Sequence, residues 1–158
     1  MIGLNNGTFM KPKLLVVTST FPRWPSDTDP PFVYELSRRL TDTFDVTVHT
    51  PHYPGSLRNE QMGGMHIHRF RYFFAPYERL AGGQGIVPKM RRNKLYSLLL
   101  PFFLLAQFFS LILLVGKIRP DVIHAHWLIP QGCWAVVVKK LFKVPVVITA
   151  HGADVFSL

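Results

Sequence analysis

The sequence predicts an α/β fold, an open parallel sheet with helices on both faces. Three observations predict it. Short continuous apolar runs rich in β-branched residues, such as Lys13-Leu-Leu-Val-Val-Thr-Ser19, read as strands buried on both faces. Such runs alternate with helical segments, an order that calls for parallel strands joined by right-handed crossovers. The length, 158 residues of which 48% are apolar, suits one domain with a sizeable core.

The elements follow in order. Residues 1–12 are expected to be a flexible tail and residues 13–158 one domain. After the first strand, a loop rich in Pro, Asp, Ser and Thr leads to Asp29 and two prolines, which mark a helix start. The helix over residues 31–40 is drawn from Phe32, Leu36 and Leu40 at i, i+4, i+8, with Glu35 and Arg39 as an i,i+4 pair. Residues 45–50 form a second strand closed by Pro51. Residues 65–72 alternate and read as a more exposed strand. Residues 75–94, with Gly82-Gly83-Gln-Gly85 and a basic run, read as a loop with about one helical turn. Strand, helix and strand follow at residues 121–126, 131–142 and 144–149.

Composition narrows the function classes. Only 17% of residues are charged and 13% are aromatic, which excludes a disordered chain or a coiled coil. A single cysteine permits no intrachain disulfide and no Cys-based zinc site, and fits a reducing compartment. Cys133 lies beside Trp134 and valines and reads as a core thiol. The N-terminus carries no basic start followed by a long apolar stretch, so no secretory signal is expected. The net charge is +9, and eight basic residues (Arg58, Arg69, Arg71, Arg79, Lys89, Arg91, Arg92, Lys94) meet only Glu60 and Glu78 over residues 58–94. Such a cluster calls for an anionic partner or a solvated face. No aromatic-lined groove or recognised module accompanies it, so no nucleic-acid partner is expected.

Residues 95–115 are uncharged, long enough by length alone to span a bilayer. A span there would leave the two halves of one sheet on opposite sides of the membrane, and Pro101, Gln107 and Ser110 dilute the run. A crossover helix buried on the sheet is the plain alternative. The reading adopted is intermediate. One face packs on the sheet, leaving aromatics such as Phe102 and Phe103 for lipid, with Lys89, Arg91, Arg92 and Lys94 just before it as the basic half of a two-signal membrane attachment.

Ligands of open parallel sheets sit beyond the carboxyl ends of the strands. Three loops qualify: residues 20–29 with Arg23, Trp24 and Asp29, residues 127–132 with Trp127, Gln131 and Gly132, and residues 151–154 with His151, Gly152 and Asp154. Their polar and aromatic side chains suit a sugar or nucleotide pocket. His124 and His126, two apart on a strand, share a face; no third ligand at fixed spacing joins them, so no metal is expected. His151, followed by Gly152, either caps the strand end or faces the cleft. No G-x-S-x-G, P-loop or G-x-G-x-x-G follows the first strand.

Four ordered blocks resemble a known family: Thr18-Ser-Thr-Phe-Pro-Arg-Trp-Pro-Ser-Asp with Pro31-Phe-Val, Arg69-Phe-Arg-Tyr72, Pro120-Asp-Val-Ile-His-Ala-His-Trp-Leu-Ile-Pro-Gln-Gly132, and Thr149-Ala-His-Gly-Ala-Asp-Val-Phe156. From Lys13 onward the chain resembles the N-terminal half of a bacterial family 4 glycosyltransferase of the GT-B type. The resemblance implies a Rossmann-like, acceptor-side domain of a two-domain enzyme. Such a transferase moves a sugar, typically a hexosyl unit, from a nucleotide-sugar donor to a lipid-linked or polysaccharide-precursor acceptor. It implies work without a metal or cofactor, in the cytoplasm, peripheral on the inner face of the plasma membrane. It also implies that His151 reaches the donor sugar as the catalytic residue. Arg23, Trp24, Asp29, Phe32, His126, Trp127, Gln131, Gly132, Gly152 and Asp154 are then the substrate-binding candidates.

Two departures stand out. Asp29-Pro-Pro-Phe occupies the place of a Gly-Gly pair common in the family, although a helix start near Pro31 still favours an anion. The family's pair of glutamates separated by seven residues is absent, the glutamates being Glu35, Glu60 and Glu78. The donor-binding domain is therefore expected to lie outside residues 1–158, and these residues alone are expected to be inactive. The alternative is a non-catalytic, membrane-peripheral binding module.

Overall fold

The computed structural model describes residues 10–27, 31–82 and 86–152. The elements in chain order are β1 (Lys13–Val17), α1 (Phe32–Arg39), β2 (Asp45–Pro51), β3 (Asn59–Met62), β4 (Met65–Phe70), α2 (Ile86–Arg92), α3 (Leu95–Ile118), β5 (Val122–His126), α4 (Cys133–Phe142) and β6 (Val146–Thr149). The strands form one sheet in the order β3-β4-β2-β1-β5-β6. All pairings are parallel except β3 with β4. This is the expected α/β, Rossmann-like architecture, and strand order reverses direction at β1.

The side-chain period of two explains how β1 serves both faces. Leu14 and Val16 join Val33 of α1 with Val46, Val48 and Ile67 in one core layer. Leu15 and Val17 point the other way, into a layer with Leu111, Leu114 and Val115 of α3 and Ala135 and Val138 of α4. A third, smaller cluster at the start of α3 gathers Phe70, Tyr72, Leu80, Ala81 and Phe103.

Several elements differ from expectation. In α1 the buried pair is Val33 and Ser37, while Phe32 and Leu36 are exposed. The helix rotates so that Phe32 meets aromatic rings at the strand ends instead of the sheet. Glu35 pairs with Arg38, at 3.2 Å, and not with Arg39. β4 is an interior strand, because the unforeseen β3 hairpins back onto it through Gly63 and Gly64, both at positive φ. The Gly-Gly pair between two short strand-like runs is a hairpin signal legible in the sequence. At Gly63 a Cβ would also lie 2.6 Å from the Tyr34 hydroxyl, which would have to move aside.

Residues 75–94 hold more helix than one turn: a short 3-10 turn at Ala75–Tyr77 and the seven-residue α2. α4 begins at Cys133, after a wide turn at Leu128–Gly132, and β6 at Val146. Cys133 is exposed and not a core thiol, since Ala135 and Val138 carry the buried face of α4.

α3 has the length and composition of a membrane-crossing helix, yet one face is committed to the domain. Phe103, Gln107, Leu111, Leu114 and Val115 are buried at helical spacing. The opposite face exposes Leu95, Leu98, Phe102, Leu105, Phe109 and Leu113 in one stripe. Gln107, expected to dilute the run, is wholly buried, and Ser110 bonds His49 Nε2 at 3.1 Å.

Candidate functional site

The three loops predicted to carry chemistry lie at the carboxyl ends of β1, β5 and β6, beside the reversal of strand order. Parallel register does the assembly. His126 stands opposite Thr149, and His124 opposite Val147, so the ends of β5 and β6 present their side chains on one face together.

On that face three imidazoles cluster. His124 and His126 lie with ring centroids 4.3 Å apart. His124 Nε2 is 2.8 Å from Thr149 Oγ1. His126 Nδ1 is 3.1 Å from His151 Nε2, and these two rings stack at 12°. Phe32 and Trp127 wall the outer side of His151, at 4.8 and 4.7 Å between centroids. His151 is only half-buried, so the ring reaches the surface between two aromatic walls.

The hydrogen positions follow from burial. His126 is buried, and its Nε2 has no partner. A stranded N–H costs about 1–3 kcal/mol, so the proton belongs on Nδ1, from which it is donated to His151 Nε2. A neutral His151 then carries its own proton on Nδ1. Burial, together with charge on His124 and His151, lowers the pKa of His126 to about 3. His124 is lowered in the same direction by burial and by His151. Both are therefore neutral near pH 7, and His151 sits against uncharged neighbours.

The backbone around this cluster is strained. Trp127 adopts φ 73° and ψ 143°, a region essentially reserved for glycine and costing about 1–3 kcal/mol. Its N–H bonds Thr149 O at 3.0 Å, and its carbonyl accepts from Gly132 N–H at 3.1 Å. Gly132 is closely confined, because a Cβ there would lie 3.2 Å from the Trp127 carbonyl and 3.3 Å from Ile148. Gln131 is wholly buried, with neither amide atom partnered.

Other predicted residues fall elsewhere. Arg23, expected to bind substrate, makes a two-pronged ion pair with Asp27 at 2.7 Å and lies 4.8 Å over both Trp24 and Tyr53. A guanidinium so occupied stiffens the loop. Gly152 is exposed beside His151, while Asp29 and Asp154 lie outside the described residues. Among the described residues no group of three or more His, Cys, Asp or Glu is placed to hold a metal ion. The site is an open wall; the neighbouring cavity at the ends of β1 and β2 holds only about 10 Å³.

Sequence reasoning missed two buried ionic clusters that hold the first loop and the chain after β4. Arg69, buried in β4, pairs with Glu60 and donates to Leu57 O and Pro22 O, both at 2.8 Å. It thereby ties the loop after β1 to the far side of the sheet. Glu78, wholly buried, meets His52 Nδ1 at 2.5 Å and Arg71 Nε at 2.6 Å, and accepts from Tyr72 N–H at 2.7 Å. The scarcity of acids beside so many bases was the available signal.

The proposed membrane residues divide. Arg91, Arg92 and Lys94 are exposed, and so is Phe102. Lys89 instead donates to Arg79 O at 2.8 Å and Gly82 O at 2.6 Å, serving as a clasp for that loop. Phe103 is not available to lipid: it is buried edge-on against Phe70 and Tyr72.

Comparison with known proteins places the chain. The C-terminal domain of the PF1911 hydrogenase from Pyrococcus furiosus superposes with a TM-score of 0.50 at 12% identity, covering 93% of this chain and 99% of that one. At that identity the likeness is one of fold. TuaC of Bacillus subtilis (strain 168), named for glycosyl transfer in teichuronic acid biosynthesis, is 50% identical over 36 residues. That stretch covers 23% of this chain and 9% of TuaC. The family model of Glycosyltransferase Family 4 matches residues 31–157, from the start of α1 through the His151 segment. With four-fifths of its length inside that match, the chain belongs to Glycosyltransferase Family 4.

Proposed function

We propose that this chain is the acceptor-side part of a glycosyltransferase that moves a sugar from a nucleotide-sugar donor to a lipid-linked or polysaccharide-precursor acceptor. The observation that carries the proposal is His151: a half-buried imidazole at the end of β6, braced by His126 and walled by Phe32 and Trp127. Aromatic faces suit the C–H faces of a sugar ring, and a braced imidazole donates to a hydroxyl or shares the charge of a leaving group. Family membership supports the transferase class. In this reading no metal takes part, and the histidines supply hydrogen bonds and polarity. Residues 1–158 alone turn over no nucleotide sugar, because the donor nucleotide is held elsewhere in the full-length protein. Incubating the intact protein with a panel of nucleotide sugars and isolated membranes, and following sugar incorporation, tests the class. Absence of transfer with every donor contradicts it.

A second reading concerns place, and the exposed stripe of α3 favours it. Six large apolar residues facing outward, beside exposed Arg91, Arg92 and Lys94, fit a cytoplasmic protein lying on an anionic leaflet. The helix lies along that surface with its other face on the sheet. Vesicle binding that rises with anionic lipid and falls with salt is the expected result, since exposed charges are screened over about 8 Å at physiological ionic strength.

A further inference from the structure

An apolar cavity outside the histidine cluster lies at the start of α3. It measures about 590 Å³ and is walled by Phe73, Tyr77 and Arg79 on one side and by Tyr96, Leu98 and Leu99 of α3 on the other. That volume falls within the roughly 300–1,000 Å³ typical of small-molecule sites. Its surroundings are unusual for a water-facing surface. Phe74 and Tyr77 are 71% and 64% exposed, and the α3 stripe begins at its edge with Leu95 and Leu98.

Charge says what occupies it. From Arg79 to Pro120 the sequence contains seven Lys and Arg and neither Asp nor Glu. Arg71 is spent on Glu78 and Lys89 on loop carbonyls. Arg79 lines the cavity and is exposed, and Arg91, Arg92 and Lys94, just before α3 in the chain, are exposed as well. An apolar slot rimmed by cations and aromatic rings complements an amphiphile with a negative head.

The geometry points to a binding site for a single anionic bilayer lipid, one acyl chain entering between the Phe73–Arg79 segment and α3 and the phosphate meeting Arg79. This rests on the reading that the α3 face meets a membrane, and goes beyond it by naming a discrete, saturable site. The lipid would fix the rotation of the domain on the bilayer, because the slot marks one end of the stripe only.

The test uses the intact protein and dihexanoylphosphatidylglycerol kept below its micellar concentration, titrated by calorimetry, with co-sedimentation on phosphatidylglycerol-containing vesicles in parallel. One saturable site for the monomeric lipid is expected, with weaker binding of the phosphatidylcholine analogue. Arg79→Gln should weaken the anionic lipid about fivefold, as loss of one surface cation does, and leave the zwitterionic one unchanged. Leu98→Glu, at an exposed lining position, should abolish monomer binding. Leu113→Glu, about four turns along the same stripe, should reduce vesicle binding but keep the monomer site. Vesicle binding without any saturable monomer site would overturn the slot and leave membrane attachment standing. Absence of both would overturn the slot and the membrane reading together.

Discussion

At the level of single residues, one hydrogen bond joins the two histidines at the end of the sheet. Under the proposed function His126 is a positioning residue that sets the tautomer and plane of His151 through the 3.1 Å contact between Nδ1 and Nε2. In the intact protein His126→Asn keeps an N–H near the Nδ1 position, and His126→Phe keeps the ring but not the donor. Loss of one neutral hydrogen bond is worth about 1 kcal/mol. His126→Phe should therefore lower kcat roughly five- to tenfold with KM little changed, while His126→Asn stays near the wild-type rate. Equal rates for both variants would reduce His126 to a packing residue. His124, half-buried and bonded to Thr149, joins β5 to β6. Its replacement by Ala should lower stability, read in a thermal melt, with activity following only through unfolding.

At the scale of elements, β4 matters more than its alternating sequence suggested. Arg69 reaches from β4 to Glu60 and to the loop after β1, with its side chain removed from solvent. Breaking a buried ion pair by removing one partner costs about 3–5 kcal/mol. Arg69→Met should thus shift the denaturation midpoint by an amount of that order, and Arg69→Lys should rescue little, since an ammonium cannot match a fork that serves three acceptors. A stability within 1 kcal/mol of wild type would show that the tether is not needed.

β2, β4 and α3 share a second buried polar contact, His49 with Ser110 at 3.1 Å and His68 stacked 6.0 Å away. Burial and the neighbouring His68 lower His49 to about 3, and burial with Arg58 and Lys117 lowers His68. The unfolded chain therefore binds protons that the folded one refuses. For His49, stability is full above about pH 6.5 and falls as pH drops from there toward 3, at about 1.4 kcal/mol per pH unit, and His68 adds a loss of the same sign. Urea unfolding at a series of pH values should show this slope, and His49→Gln should flatten it. An unchanged slope would place the acid sensitivity elsewhere.

At the scale of the whole molecule, the parallel α/β class and most of the strands were legible, with residues 14–17 a continuous apolar run and residues 46–50 and 122–125 rich in β-branched residues, whereas β3 and the order of strands in the sheet were not read. The candidate loops read from the sequence do lie at the carboxyl ends of β1, β5 and β6. What escaped the sequence was mostly orientation. Phe32, Leu36 and Leu40 fit a helical face, yet tertiary packing buries Val33 and Ser37 and turns Phe32 against His151. Phe103 and Phe102 are neighbours with opposite fates, which composition cannot distinguish and helix rotation can. Lys89 and Arg23 read as free cations because their partners, loop carbonyls and an aspartate four residues on, leave only a weak trace in sequence. The pairing of His126 with His151 joins residues 25 apart and emerges only when β5 and β6 align.

The central claim is that His151 is a working group of glycosyl transfer and not a strand cap. The measurement that tests it most directly is the kcat/KM of the intact protein carrying His151→Ala, taken beside its melting temperature. The account predicts a fall of roughly 100-fold or more, as removal of a positioned acid–base or hydrogen-bonding group produces, with a melting temperature close to wild type. Wild-type turnover in a folded variant, or unfolding of the domain, would contradict it.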